Sequence, residues 1–188
     1  MSTDNSYKLA EQATKGDSRF TLIKNTEKKY ALANIVNAID NSDSSEDDII
    51  ILLDGDDWFS STNTLGCLNS YYSSGFWLTY GSYIYHPWGV RGVEPSEYPD
   101  QVIDDNSYRL DSWRASHLRT FRRSLWDRID KQDLKGSDGN FYEMTYDQAI
   151  MLPLLEMAGR RAVYVPEVLH VYNKENPLNV DKIKANKQ

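Results

Sequence analysis

The chain has 188 residues, 40% of them hydrophobic, with 28 acidic against 21 basic side chains and a formal charge of −7. That is enough apolar material for one sizeable core and predicts a single domain over 1–188, while the acidic balance without a basic patch excludes a nucleic-acid binder. The lone cysteine, Cys67, excludes an internal disulfide framework; with a polar N-terminal segment and no apolar run long enough to span a bilayer, the chain is expected to be soluble and cytoplasmic.

The elements follow in chain order. STDNSYKLAEQATKG predicts a capped helix stopped at Gly16, and RFTLIKN a short strand. KKYALANIVNAID places Ala31, Ile35, Ala38 and Ile39 at helical spacing, and the acidic run after it reads as solvated loop. IIILL, residues 49–53, is a continuous apolar run that predicts an interior strand covered on both faces, as in a parallel sheet between helices. A helix near 62–73 and the strand FWLTYGSYIY come next, and this alternation argues α/β. From residue 86, HPWGVRGVEPSEYPD reads as a long ordered loop. DSWRASHLRTFRRSLWDRI predicts a strand running into a helix, and MTYDQAIMLPLLEMAG a helix that carries Pro153. RAVYVPEVLHVYNKEN is a β-type segment broken by Pro166, and 179–188 a charged, frayed tail.

The chemistry concentrates where IIILL ends, at Asp54, Gly55, Asp56, Asp57 and Trp58. Three carboxylates within about 5 Å repel by roughly 3 kcal/mol per pair at an effective dielectric near 20. A solvated turn tolerates that, but the end of an apolar strand is where α/β sheets place ligand crevices, and Trp58 and Phe59 are odd neighbours for a solvated tip. A divalent cation turns the repulsion into attraction, and hard oxygen ligands suit Mg²⁺ or Mn²⁺. Two enzyme classes place Asp-x-Asp after such a strand: phosphatases with an aspartyl nucleophile, whose downstream lysine and acidic pair have no convincing counterpart here, and transferases that hold a metal against a sugar-nucleotide diphosphate.

The second class is the one the chain resembles. STDNSYKLAEQ, RFTLIKNTEKKYALANIVNAI, IIILLDGDDWF, RASHLRTFRRSLWDRI, TYDQAIMLPLLEMAG and VPEVLHVYNKENPLN are similar, in that order, to segments of glycosyltransferase family 2. The resemblance implies a GT-A-like three-layer α/β/α sandwich with a mostly parallel mixed sheet, N-terminally truncated because the family's opening strand, helix and strand have no counterpart. It divides the domain into the remainder of a nucleotide- and metal-binding half at 1–85 and an acceptor-side half at 86–178. Two further departures are Tyr146-Asp147 where the family commonly has Glu-Asp, and Tyr172-Asn173 where it often has Tyr-Arg.

The activity so implied is a metal-dependent, inverting transfer of a sugar from a UDP- or GDP-sugar to a hydroxyl of a sugar, glycan or glycoconjugate, with Mn²⁺ or Mg²⁺ as cofactor. Asp147 is then the base, against the plainer reading of a charge at a helix N-terminus. Asp56 and Asp57 become metal ligands with His170 as a further contact, and Asp54, Asp57, Arg119 and His117 face the nucleotide. A lone histidine is more often structural than a ligand, and Arg114, Arg122 and Arg123 share a basic cluster with Arg119 in which some members must be surface residues. Trp58, Trp88 and Trp113 read as core or rim, with stacking on a sugar face the alternative. The rival readings are a truncated or degenerate transferase that serves as a binding module or needs a partner chain or a second copy to complete its sheet, and a metal-dependent phosphatase-type enzyme.

Overall fold

The computed structural model describes residues 4–177, so the predicted tail at 179–188 lies outside the described residues. The chain divides into two compact units, Met1–Asp43 with Lys131–Tyr146, and Ser44–Asp130 with Asp147–Gln188.

The first unit holds α1, Ser6–Ala13, and α2, Ala31–Asp40. Gly16, at φ +82, ends the segment after α1 in the left-handed region that a glycine enters without penalty. Leu32, Val36 and Ile39, spaced for one face of a helix, are the buried residues of α2. The strand expected at RFTLIKN does not form: residues 19–25 are irregular, because β-propensity makes a strand only where a neighbouring strand supplies a ladder. Asn25 instead donates from Nδ2 to Oδ1 of Asn34 at 2.8 Å.

The second unit is built on a mixed sheet with strands β1 Ile49–Leu52, β2 Trp58–Phe59, β3 Leu78–His86, β4 Val90–Arg91, β5 Arg119–Arg122 and β6 Ala162–Asn173. The order is β1-β5-β3-β6-β2, with β4 hairpinned onto β3. The α/β class is as expected, but only β3 and β6 pair in parallel among the described residues; the other four pairings are antiparallel. A parallel pair needs a long crossover, and here the segment between β3 and β6 contains β5 and the helix α6, Tyr146–Ala158.

Two strand expectations are corrected. The run at 49–53 is not an interior parallel strand: Ile49–Leu52 are half-buried, Leu53 is exposed, and β1 ends the ladder, pairing antiparallel with β5 alone among the described residues. An apolar run records a demand for burial and says nothing about which strand lies beside it. Pro166 does not break β6 either. Gly81 pairs with Val165 and Ser82 with Val168, so a bulge leaves Pro166 and Glu167 out of the ladder, where the missing N–H is not needed.

Leu68 of α3, Thr64–Ser73, packs with Leu118, Val165 and Leu169, flanked by Ile51 and Phe59. Helix α6 contributes Ile150, Met151, Leu154, Leu155 and Ala158 to the core, a stripe that recurs every turn. At the centre Tyr72 Oη and Thr79 Oγ1 lie 2.6 and 2.7 Å from Thr120 Oγ1, so three buried hydroxyls satisfy one another across α3, β3 and β5. The segment read as loop after residue 86 carries β4 and leads into the short helix α4, Asp100–Asp104, while α5, Arg123–Trp126, continues directly from β5 as expected. No helix among the described residues is long and apolar enough to cross a membrane.

Candidate active site

The predicted acidic turn follows β1 directly. Asp57 N–H donates to the carbonyl of Asp54 at 3.1 Å, closing a tight turn whose last residue leads into β2. Strand β2 lies on β6 with Trp58 opposite Val171 and Phe59 opposite His170, and β3 places Tyr83 opposite the same histidine from the other side. This register brings Asp57 to His170: Oδ2 lies 2.8 Å from Nε2, while Oδ1 accepts the Asn173 backbone N–H at 2.9 Å. The two side chains are 2% and 0% exposed.

His117, just ahead of β5, stacks on His170 with ring centroids 4.5 Å apart and planes 20° from parallel. Tyr83 stands edge-on to both rings, 5.5 Å from His117 and 6.5 Å from His170. Asp57, His117 and His170 each offer a ligand atom, and these atoms lie within 4.8 Å of one another. Burial, then the charge of Arg119, then His170 hold the His117 imidazole well below its usual value, so it stands neutral near pH 7. His170 Nδ1 is buried and meets no hydrogen-bond partner among the described residues, an uncommon state for an imidazole nitrogen.

Arg119 sits beneath this cluster, 2% exposed, in register with Leu52 two residues before the acidic turn. Its NH2 lies 3.2 Å from His117 Nδ1 and its NH1 lies 3.5 Å from Asp147 Oδ2. Asp147, in the first turn of α6, accepts the Gln148 N–H on Oδ1 at 2.9 Å. The carboxylate therefore has one oxygen on its own helix, as a helix-terminal acid would, and the other towards the guanidinium.

The expected residues do not all converge. Asp57, His117, His170, Arg119 and Asp147 form one connected chain of contacts. Asp56 belongs to the same turn but is outside the three-residue group, and its Oδ2 accepts from Asn176 Nδ2 at 2.5 Å. Asp54 contributes its carbonyl to the turn. Of the other basic residues, Arg114 pairs with Asp111 at 2.7 Å and Arg123 with Asp127 at 2.7 Å, while Arg122 approaches the Tyr72 carbonyl at 3.4 Å. Trp58 is 41% exposed beside His86, ring centroids 5.1 Å apart, and Trp88 is 66% exposed. Tyr83 and Asn176 join the site without having been expected there, and Asn173, expected only as a departure from the family pattern, contributes its backbone N–H to Asp57. The alternation Tyr83-Ile84-Tyr85 was a signal that one face of β3 is aromatic, but its meeting with His170 depends on the β3–β6 register.

Among the described residues, Asp57, His117 and His170 are the group whose side chains could hold a metal ion, with Asp57 and His170 already joined by a hydrogen bond from Nε2 to Oδ2. The family model of glycosyl transferase family 2 matches residues 1–131 of this chain. The chain belongs to glycosyl transferase family 2. The match includes the acidic turn, His117 and Arg119, whereas α6 with Asp147 and β6 with His170 lie beyond it, so those two residues are placed by geometry. No curated protein matches the chain. Membership of the family supports glycosyl transfer in general, with a nucleotide-sugar donor and a sugar acceptor implied at the level of the family.

Proposed function

We propose that this family 2 chain is a metal-dependent, inverting glycosyltransferase that moves a sugar from a UDP- or GDP-sugar to a hydroxyl of a sugar, glycan or glycoconjugate. The observation that carries the reading is the connected set Asp57–His170–His117–Arg119–Asp147, which joins a cation seat to a carboxylate through one buried guanidinium.

Asp57 and His170 would hold Mn²⁺ or Mg²⁺, with Asp56 able to join when it exchanges Asn176 for the ion, and the cation would neutralise charge on the leaving diphosphate. The imidazole ligand favours Mn²⁺ of the two. Asp147 takes the proton of the acceptor hydroxyl. The hydroxyl oxygen bonds to the anomeric carbon on the face opposite the diphosphate, and the carbon–oxygen bond to the diphosphate breaks with its electron pair on the leaving group. Inversion follows from that single displacement. Asp54 closes the turn on the nucleotide side. Free Cys67 and the absence of a membrane-crossing helix among the described residues suit work in the cytoplasm.

The test is release of UDP or GDP from a panel of nucleotide hexoses, with and without Mn²⁺, on the full chain and on Asp147→Asn. Mn²⁺-dependent release that Asp147→Asn removes supports the reading. Release that is unchanged by chelation and by the substitution contradicts it.

A further inference from the structure

We propose that Arg119 is the positioning residue of this site: from inside the sheet it orients Asp147 and keeps the ring proton of His117 on Nε2, which makes His117 a hydrogen-bond donor towards phosphate oxygens. The assignment of the donated hydrogen bond to phosphate rests on the transferase reading above; the proton placement does not.

A guanidinium has donors and no acceptor. Arg119 NH2 lies 3.2 Å from His117 Nδ1 with the geometry of an N–H donated to it, so Nδ1 is the acceptor. A neutral imidazole carries one N–H, and that proton therefore sits on Nε2. A ring nitrogen that bears hydrogen has no lone pair for a metal. Moving the proton to Nδ1 would aim it at the Arg119 N–H groups, and Arg119, 2% exposed within β5, has no solvent to turn into. His117, one of the three side chains gathered within 4.8 Å, is thus committed at Nδ1 to Arg119. His170 Nε2 carries a proton as well, donated to Asp57 Oδ2 at 2.8 Å, so a cation at this pair would have to replace that proton.

The other end of the guanidinium acts on Asp147. NH1 lies 3.5 Å from Oδ2 while Gln148 N–H holds Oδ1, so both oxygens are oriented at once. The planar fork reaches Asp147 and His117 from one residue, which a single ammonium cannot reproduce.

Long-range ¹H–¹⁵N spectra of the ¹⁵N-histidine-labelled full chain test this without any sugar donor, the three histidines being assigned through His86→Gln, His117→Gln and His170→Gln. The expected result is His117 as the Nε2–H tautomer, retained when one equivalent of diamagnetic Zn²⁺ is added. Arg119→Lys, with an unchanged circular dichroism spectrum, should release the tautomer and lower kcat for UDP or GDP release at least tenfold, with Zn²⁺ affinity changed less than threefold. His117 found as Nδ1–H, or a His117 nitrogen entering the metal-bound range, overturns the proposal. So does an Arg119→Lys chain with the wild-type tautomer and wild-type kcat. Because the tautomer is read with no donor present, failure of the transferase reading would leave this outcome standing and be recognisable as separate.

Discussion

Nε2 of His170 lies 2.8 Å from Oδ2 of Asp57, and neither side chain is more than 2% exposed. Nε2 donates its proton to the carboxylate, and a cation bound between the two groups would take the place of that proton. His170→Gln keeps the bulk and a polar end but removes the ring nitrogen. Mn²⁺ affinity, measured by calorimetry on the full chain, is expected to fall tenfold or more, about 1.4 kcal/mol. Unchanged affinity would move the cation away from this pair.

Asp147 has a contact that suits a helix-terminal acid, its bond to Gln148 N–H, and one that suits a site residue, its approach to Arg119. The two roles separate on one substitution. Asn is nearly as good as Asp near a helix start, so Asp147→Asn should keep its helix and stay folded, with a loss of up to about 3 kcal/mol from the contact with the buried Arg119 guanidinium. Transfer should fall by 10² to 10⁴, the order expected when a proton acceptor is removed, with Mn²⁺ binding retained. Full transfer activity in this variant would end its role as base.

Gly92 follows β4 and faces the Tyr83 ring, where an added Cβ would lie 2.1 Å from Cζ. Tyr83 cannot yield freely, because its ring stands against His117 and His170 and its hydroxyl is bonded to Glu94 and Tyr85. Gly92→Ala should therefore destabilise the chain by about 1–3 kcal/mol in urea unfolding, and weaken Mn²⁺ binding as the histidine stack is pushed. A double change, Gly92→Ala with Tyr83→Ala, should recover part of the metal affinity.

How far the sequence foretold this arrangement depends on the range of each signal. Local patterns were legible: helix spacing placed α2 and α6, and the apolar run into Asp54 marked the turn that carries Asp57. Pairings were not. RFTLIKN has strand-forming residues and no ladder, β1 has an interior composition and a place at the end of the ladder, and Pro166 sits in a bulge that only the β3 register reveals. His117 and His170 were each singled out, but their stacking depends on strand order, which their own neighbourhoods do not encode. Arg119 was expected at the nucleotide. Its burial beneath Asp147 and His117 follows from β5 lying between β1 and β3.

Tyr72 provides a pH test of the core that supports the site. Burial, against the opposing hydrogen bonds of Thr120 and Thr79, pushes its hydroxyl up from 10 to about 12. In the unfolded chain the phenol ionises near 10, so between pH 10 and 12 the folded state binds more protons and stability falls as pH rises. The fall attributable to Tyr72 should approach 2 kcal/mol, on the order of its shift. Tyr72→Phe should flatten that part of the alkaline stability curve in urea titrations, and an unchanged curve would count against the buried hydroxyl cluster.

The most direct test of the central claim is calorimetric titration of UDP and GDP into the full chain, with Mn²⁺ and with chelator, in the wild type and in Asp57→Ala. The account predicts that one of the two nucleotides binds the wild type only when Mn²⁺ is present, and that Asp57→Ala loses this binding while keeping its folded circular dichroism spectrum. Nucleotide binding that persists equally in chelator and in Asp57→Ala, or no binding of either nucleotide to the Mn²⁺-loaded wild type, would contradict a metal-dependent nucleotide-sugar transferase.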